Sequence, residues 1–227
     1  MTAYFVIARS DGAHIISDGA AVDEEGVLTG IVSKAALFPR FNLAVVVNGS
    51  QSQSEIVDAM EDAQPASLDD ALQALPGIAY QIVGSNKQAG IRHPHVSLFA
   101  ACWHPTSGAA AWAVRTDATV KAWGIQPGQL TRIKGSFDAV GDPAPALGRS
   151  VDVLDPASFD LARDGVALME HCRRLPADPT LWDGRTDHFG IGGTVELTTC
   201  GPGGITRREL HRWPADVIGQ RIRPAYC

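Results

Sequence analysis

Apolar residues open this chain in short unbroken runs and later settle into stripes. Tyr4 to Ala8 is apolar throughout, Ser10-Asp11-Gly12 is a turn signal, and Ala13 to Ser17 resumes the apolar pattern. Two such runs around Asp-Gly predict a β-hairpin, with Asp18 just past its second strand. Gly19 to Gly30 is polar and carries glycines, which predicts a loop. Gly30 to Leu37 reads as a third strand bearing Lys34 and ended by Pro39. Asn42 to Val47 reads as a fourth, apolar enough to be covered on both faces.

The period then lengthens. Ser52 and Ser54 are candidate caps for a helix whose inner face is Ile56, Val57, Met60 and Ala63, with Pro65 as its stop. Leu68, Leu72 and Leu75 follow at spacings of four and three behind Ser67, and Pro76-Gly77 is expected to end that second helix. Ile78 to Val83 would then be a further turn or a short strand, and Ser85 to His95 a loop. Val96 to Trp103 and Ala109 to Arg115 predict a strand pair around Pro105-Thr106-Ser107-Gly108. Val120 to Trp123 and Thr131 to Lys134 carry weaker strand patterns, and Phe137 to Val140 leads into Gly141-Asp142-Pro143. Asp155-Pro156 predicts the entry of a helix running to Arg174. Phe159, Ala162, Val166, Met169 and Cys172 would face inward, with Arg173 and Arg174 set against its C-terminal dipole. Leu175 to Gly193, rich in Pro, Gly and Asp, reads as an insertion or long loop. Thr194 to Cys200 and Ile205 to Trp213 close the chain as a hairpin around Gly201-Pro202-Gly203-Gly204. Two antiparallel sheets face to face with helices outside, an α+β αββα sandwich, would bury all these faces. A single domain over residues 1–227 is long enough to do so.

Composition narrows the function classes. Of the 227 residues 45% are hydrophobic and 19% charged, which predicts a packed core and not a disordered chain. The net charge of −6 argues against broad nucleic-acid binding, which needs a basic face. Arg207, Arg208, Arg212, Arg221 and Arg223 do cluster near the end, but charge of that kind also protects a sheet edge from pairing. No apolar run approaches the roughly 18 residues that cross a bilayer, so no membrane partner is expected. Cys102, Cys172, Cys200 and Cys227 form no CxxC pair, and Met1-Thr2-Ala3 offers no basic leader segment. The expectation is a cytoplasmic protein with free thiols.

Candidate chemistry sits at the front. The small Thr2 after Met1 invites removal of the methionine, which would put a hydroxyl and a free α-amine on one residue. An N-terminal threonine whose own amine serves as base is an activated nucleophile. Asp18 follows at sixteen residues and Lys34 at thirty-two. Alone, Asp18 reads as a turn cap and Lys34 as a surface lysine. Lys34 stands in apolar surroundings, however, where an ammonium needs a partner, and Asp18 is the candidate. His93, His95, Cys102 and His104 are of zinc-ligating types, but their spacing fits no common closed site. No metal and no cofactor is expected; Gly201-Pro202-Gly203-Gly204 lacks the Lys-Ser/Thr and helix of a phosphate loop.

Taken together these residues resemble the proteasome-like branch of the N-terminal nucleophile hydrolases. The resemblance rests on Thr2 with its strand, turn and strand to Asp18, on Lys34, on Val47-Asn48-Gly49-Ser50 before a helix, and on Gly192-Gly193 before a late strand. It implies Thr2 as nucleophile, Asp18 as orienting carboxylate, Lys34 as the cation that lowers the hydroxyl's pKa, and the Gly49 N–H as an oxyanion donor. It implies a peptide or other amide substrate and a ring-type homo-oligomer. The chain departs from the family pattern at Ala20, where an arginine is usual. It departs again at Gly141-Asp142-Pro143-Ala144, which has no serine, and near Asp187, His188 and Ile191, where an Asp and a Ser would support the amine. Those departures motivate the alternative of a non-catalytic member with an assembly or scaffold role. A metal-dependent binding module on the His/Cys cluster is the third reading.

Overall fold

The computed structural model describes residues 3–23, 25–49, 53–117, 125–137, 143–176 and 189–224. The front hairpin forms as the apolar runs require. β1 (Tyr4–Arg9) and β2 (Gly12–Asp18) pair antiparallel with Tyr4 opposite Ser17 and Arg9 opposite Gly12. Asp18 is therefore the last residue of the strand itself, not a residue beyond it.

The region expected to be a loop contains a two-stranded ribbon, β3 (Ala20–Val22) with β4 (Leu28–Ile31). Its reason is a small apolar cluster of Ala20, Leu28 and Ile222, backed by Val22, Ile31 and Phe189. The single strand expected over Gly30 to Leu37 is in fact two, since β4 stops at Ile31 and β5 (Ala35–Phe38) begins four residues later. Lys34 lies in the connector between them. Pro39 opens a one-turn 3-10 helix (Pro39–Phe41), and Asn42 leaves it in the left-handed conformation at φ 49°.

The second sheet runs β5, β6 (Leu43–Asn48), β7 (Ser97–His104), β8 (Gly108–Arg115) and β9 (Thr131–Ile133), antiparallel throughout. The first sheet runs β10 (Gly135–Phe137), β1, β2, β11 (Thr194–Gly201) and β12 (Gly204–Arg212). Alternation sorts their side chains into layers. Tyr4, Val6, Ala13 and Ile15 meet Ala44, Val46 and Phe99 between the sheets. Leu43, Val45, Leu98 and Val114 pack outward on α1 (Gln53–Ala63) and α2 (Leu68–Gln88). Phe5, Ile7, Ile16 and Leu197 pack outward on α4 (Arg163–Arg174), while α3 (Pro143–Leu147) contributes Ala146 and Leu147 to the same layer. The result is the four-layer αββα sandwich of two antiparallel sheets.

Two expectations about helices were wrong for physical reasons. Pro76 does not end α2, which continues to Gln88. An internal proline costs about 3 kcal/mol. The turns beyond it bury Ile78, Ala79, Ile82 and Val83. Burying one large aliphatic side chain is worth about 1.5–3 kcal/mol, so three of them outweigh the proline. The last helix does not begin at Asp155-Pro156 but at Arg163. Aspartate side chains hold the intervening chain in turns: Asp152 accepts from the Leu154 N–H, Asp155 from Ala157 and Asp160 from Arg163. Of the inward residues, Phe159, Met169 and Cys172 are buried as expected. The strand pattern at Val120 to Trp123 lies outside the described residues. The basic residues Arg207, Arg208 and Arg212 lie on β12, the outer strand of its sheet, as the edge reading requires.

Candidate active site

β2 ends by delivering Asp18 into the protein interior, where it is 0% exposed. Its Oδ1 accepts the Ala3 N–H at 3.1 Å. Its Oδ2 accepts the Ala20 N–H at 3.0 Å and the Gly192 N–H at 3.5 Å. The Asp18 N–H returns a bond to the Ala3 carbonyl at 3.2 Å. Ala3 and Asp18 thus hold one another by two bonds, which fixes the first described residue of the chain against the carboxylate. Burial pushes the Asp18 carboxyl above its usual range, against the pull of the nearby Lys34 charge and of the Ala20 and Ala3 N–H groups.

Lys34 is half-buried, and its Nζ donates to the Ala20 carbonyl at 2.6 Å. The hydrogen-bond partner is therefore a backbone oxygen and not the Asp18 carboxylate. Ala20 stands between the two charges, its N–H on Asp18 and its C=O on Lys34, and the cation acts on Asp18 through its field. A side chain at position 20 has no room to be large, because Ala20 is itself 0% exposed under Leu28 and Ile222. Beside Lys34 the Ser33 hydroxyl is enclosed and makes no hydrogen bond among the described residues.

The floor of this arrangement comes from the other end of the chain. The Gly19 N–H donates to the Gly192 carbonyl at 3.1 Å, and the Gly19 carbonyl accepts the Val32 N–H at 2.8 Å. Gly193 has φ 71°, and a Cβ there would lie 3.3 Å from the Ala20 nitrogen and the Gly19 carbonyl carbon. Only glycine fits where two backbones approach so closely. Gly49, at the end of β6, has φ 148°, and a Cβ there would lie 2.9 Å from Val96 Cγ1. Its conformation is a glycine conformation, and it leaves the strand as a bare backbone corner.

Sequence reasoning missed what holds Gly192-Gly193. Arg173 does not serve the helix dipole at the surface; it is buried and forms a two-pronged ion pair with Asp216. That Arg173 needs a buried partner was legible, though not which partner. Arg173 follows Met169 by four residues, on the buried stripe of α4, where a charge requires a partner.

Thr2, Asp187, His188 and Gly141-Asp142 lie outside the described residues. Ile191 is buried, and its carbonyl accepts from Arg173. Of the candidate zinc histidines, His104 has other work: its Nδ1 accepts from the Thr106 N–H and caps its own turn. Cys102 faces the α1 and α2 layer, and burial pushes its thiol up to about 11. No cluster of three or more metal-ligating side chains occurs among the described residues. No described helix is long and apolar enough to cross a membrane.

No family model and no curated protein matches the sequence. Solved structures do match the fold. One is Anbu (ancestral beta-subunit) from Yersinia bercovieri, at TM-score 0.60 and 11% identity, covering 92% of this chain and 87% of that one. At that identity the likeness is one of architecture: this chain has a proteasome-like N-terminal-nucleophile fold.

Proposed function

We propose that the chain is an N-terminal threonine hydrolase that cleaves a peptide or other amide bond. The observation that carries this reading is the mutual clasp of Ala3 and Asp18, which anchors the chain one peptide bond from Thr2 beside a buried carboxylate and a half-buried ammonium. Thr2 is the nucleophile once Met1 is removed. Its hydroxyl attacks the amide carbonyl and passes its proton to the α-amine, whose ordinary pKa of about 7.7–8.0 suits a base near neutrality. The Lys34 cation favours the alkoxide as it develops, and Asp18 keeps that cation's field in place through Ala20. The N–H of Gly49, at its half-buried backbone corner, serves the oxyanion. Collapse of the tetrahedral intermediate expels the amine, which takes the proton, and water then hydrolyses the acyl ester.

Ala20 in place of the family's usual arginine changes the wall beside the ammonium but leaves the backbone relay intact, which favours the catalytic reading over a scaffold. Assembly into a homo-oligomer is proposed from the β-subunit-like fold, and a cytoplasmic setting from the sequence. The test is turnover of a panel of fluorogenic peptide and amide substrates. Thr2→Ala should reduce hydrolysis to background, while Thr2→Ser should retain it. Equal turnover by wild type and Thr2→Ala would end the proposal.

A further inference from the structure

Behind the candidate site lies a buried ion pair that the hydrolase mechanism does not itself use. Asp216 Oδ1 accepts from Arg173 Nη2 at 2.5 Å, and Oδ2 accepts from Arg173 Nη1 at 2.7 Å. The same Oδ2 accepts the Gly193 N–H at 2.7 Å, and the same Nη1 donates to the Ile191 carbonyl at 3.0 Å. The two side chains are 3% and 1% exposed. The guanidinium stacks on Trp213 at 4.7 Å, and the Trp213 Nε1 donates to Glu170 one helical turn earlier on α4.

Such a pair is a poor device for stability alone. Desolvating two charges costs several kcal/mol for each ion, and apolar replacements of a buried pair are often neutral or stabilising. What an apolar pair cannot do is satisfy the Ile191 carbonyl and the Gly193 N–H. Those two groups bracket Gly192, whose own N–H and C=O point the other way, to Asp18 Oδ2 and to the Gly19 N–H. Gly192 has no space for a side chain, because a Cβ would strike the Arg173 guanidinium and the Asp216 carboxylate. The turn is pressed between the ion pair on one side and the β2–β3 junction on the other.

We propose that Arg173 and Asp216 are positioning residues for the candidate site: they clamp the Ile191–Gly193 turn so that its backbone orients Asp18 and the Gly19-Ala20 peptides that carry the Lys34 ammonium. The inference rests on the hydrolase reading for its catalytic consequence, but its structural part stands apart from it. Neither residue touches a reacting atom.

The double variant Arg173→Met with Asp216→Leu removes both charges together and avoids stranding one of them. Two measurements are made on the full chain: hydrogen exchange by mass spectrometry, and the pH profile of adduct formation at Thr2 with a threonine-directed electrophile. The expected result is that β7 and β8 peptides stay protected as in wild type. Peptides containing Gly19, Ala20 and Gly192 should exchange about tenfold faster or more. Adduct formation should slow by roughly 10- to 100-fold with a displaced pH profile, as a small misplacement of a working group does. Unchanged local exchange with an unchanged profile would overturn the proposal. If wild type forms no adduct at any pH, the hydrolase reading fails, and exchange at Gly19, Ala20 and Gly192 alone decides whether the pair positions the turn. If the double variant does not fold, Arg173→Lys is read by the same exchange measurement. Lysine keeps the charge but cannot serve Asp216 and the Ile191 carbonyl from one fork, so local loosening supports the clamp and wild-type protection refutes it.

Discussion

Replacing Asp18 tests the site at its centre. The carboxylate accepts three backbone N–H groups, from Ala3 on one oxygen and from Ala20 and Gly192 on the other. In Asp18→Asn one of those oxygens becomes an NH2 group. The least costly placement turns it toward Ala3, leaving one buried N–H unsatisfied, at about 1–3 kcal/mol. The remaining bonds lose their charge assistance and about half their strength. Relief from burying a charge offsets part of this, so a net loss of about 2 kcal/mol is expected. In a chain of this size each kcal/mol moves the melting temperature by about 2–4 °C, which predicts a drop of about 4–8 °C. Asp18→Ala leaves all three N–H groups without their acceptor and should cost roughly twice as much as Asn. Urea unfolding of wild type and both variants gives the order directly, and electrophile labelling gives the functional loss. Equal stability of Asn and Ala, or an Asn variant that is no less stable than wild type, would refute the reasoning that Asp18 works by gathering backbone donors.

Gly193→Ala should destabilise by about 1–3 kcal/mol, because φ 71° strains an L-residue and the new methyl meets backbone atoms of Gly19 and Ala20; calorimetry reads the cost and labelling reads the displaced site. Asp164, 4% exposed and bonded to Arg163 and Arg149, is held at about 2 against an ordinary 3.8. A depressed carboxyl stabilises above its unfolded value, so this contribution is present above about pH 4 and is lost as pH falls toward 2. At about 1.4 kcal/mol per pH unit, and discounted because the Arg163 side chain is 69% exposed, it is worth about 1–2 kcal/mol. Asp164→Asn should therefore flatten the acid limb of the stability profile measured by urea titration. Cys102 and Cys200, pushed by burial up to about 11 and about 12, should resist alkylation in the native protein at pH 8 and react once it is unfolded, as peptide mapping would report.

Much of the fold was legible because periodicity reports burial. The Tyr4–Ala8 and Ala13–Ser17 runs, the leucine spacing of α2 and the last hairpin each follow from which faces must leave water. What failed were local signals overruled by packing or by turns. Pro76 reads as a stop only if the residues beyond it have nowhere to bury, and Ile78, Ile82 and Val83 do. Asp155-Pro156 reads as a helix entry, but neighbouring aspartates bind backbone N–H groups in turns and delay the helix to Arg163. At the site, the nearness of Asp18 and Lys34 was legible, while the Ala20 peptide that takes the ammonium's hydrogen bond in place of Asp18 was not, because no side chain marks it. Arg173 and Asp216 are 43 residues apart in sequence, and no pattern in one chain announces such a pairing.

The central claim is that the front of this chain becomes a reactive threonine beside Asp18 and Lys34. Intact mass with fragmentation, after treatment with an electrophile selective for N-terminal threonine, measures it most directly. The account predicts a chain lacking Met1 and carrying one adduct on Thr2, with adduct formation slowed in Lys34→Ala and absent in Thr2→Ala. Retention of Met1 under every condition, or an adduct that persists in Thr2→Ala, would contradict it.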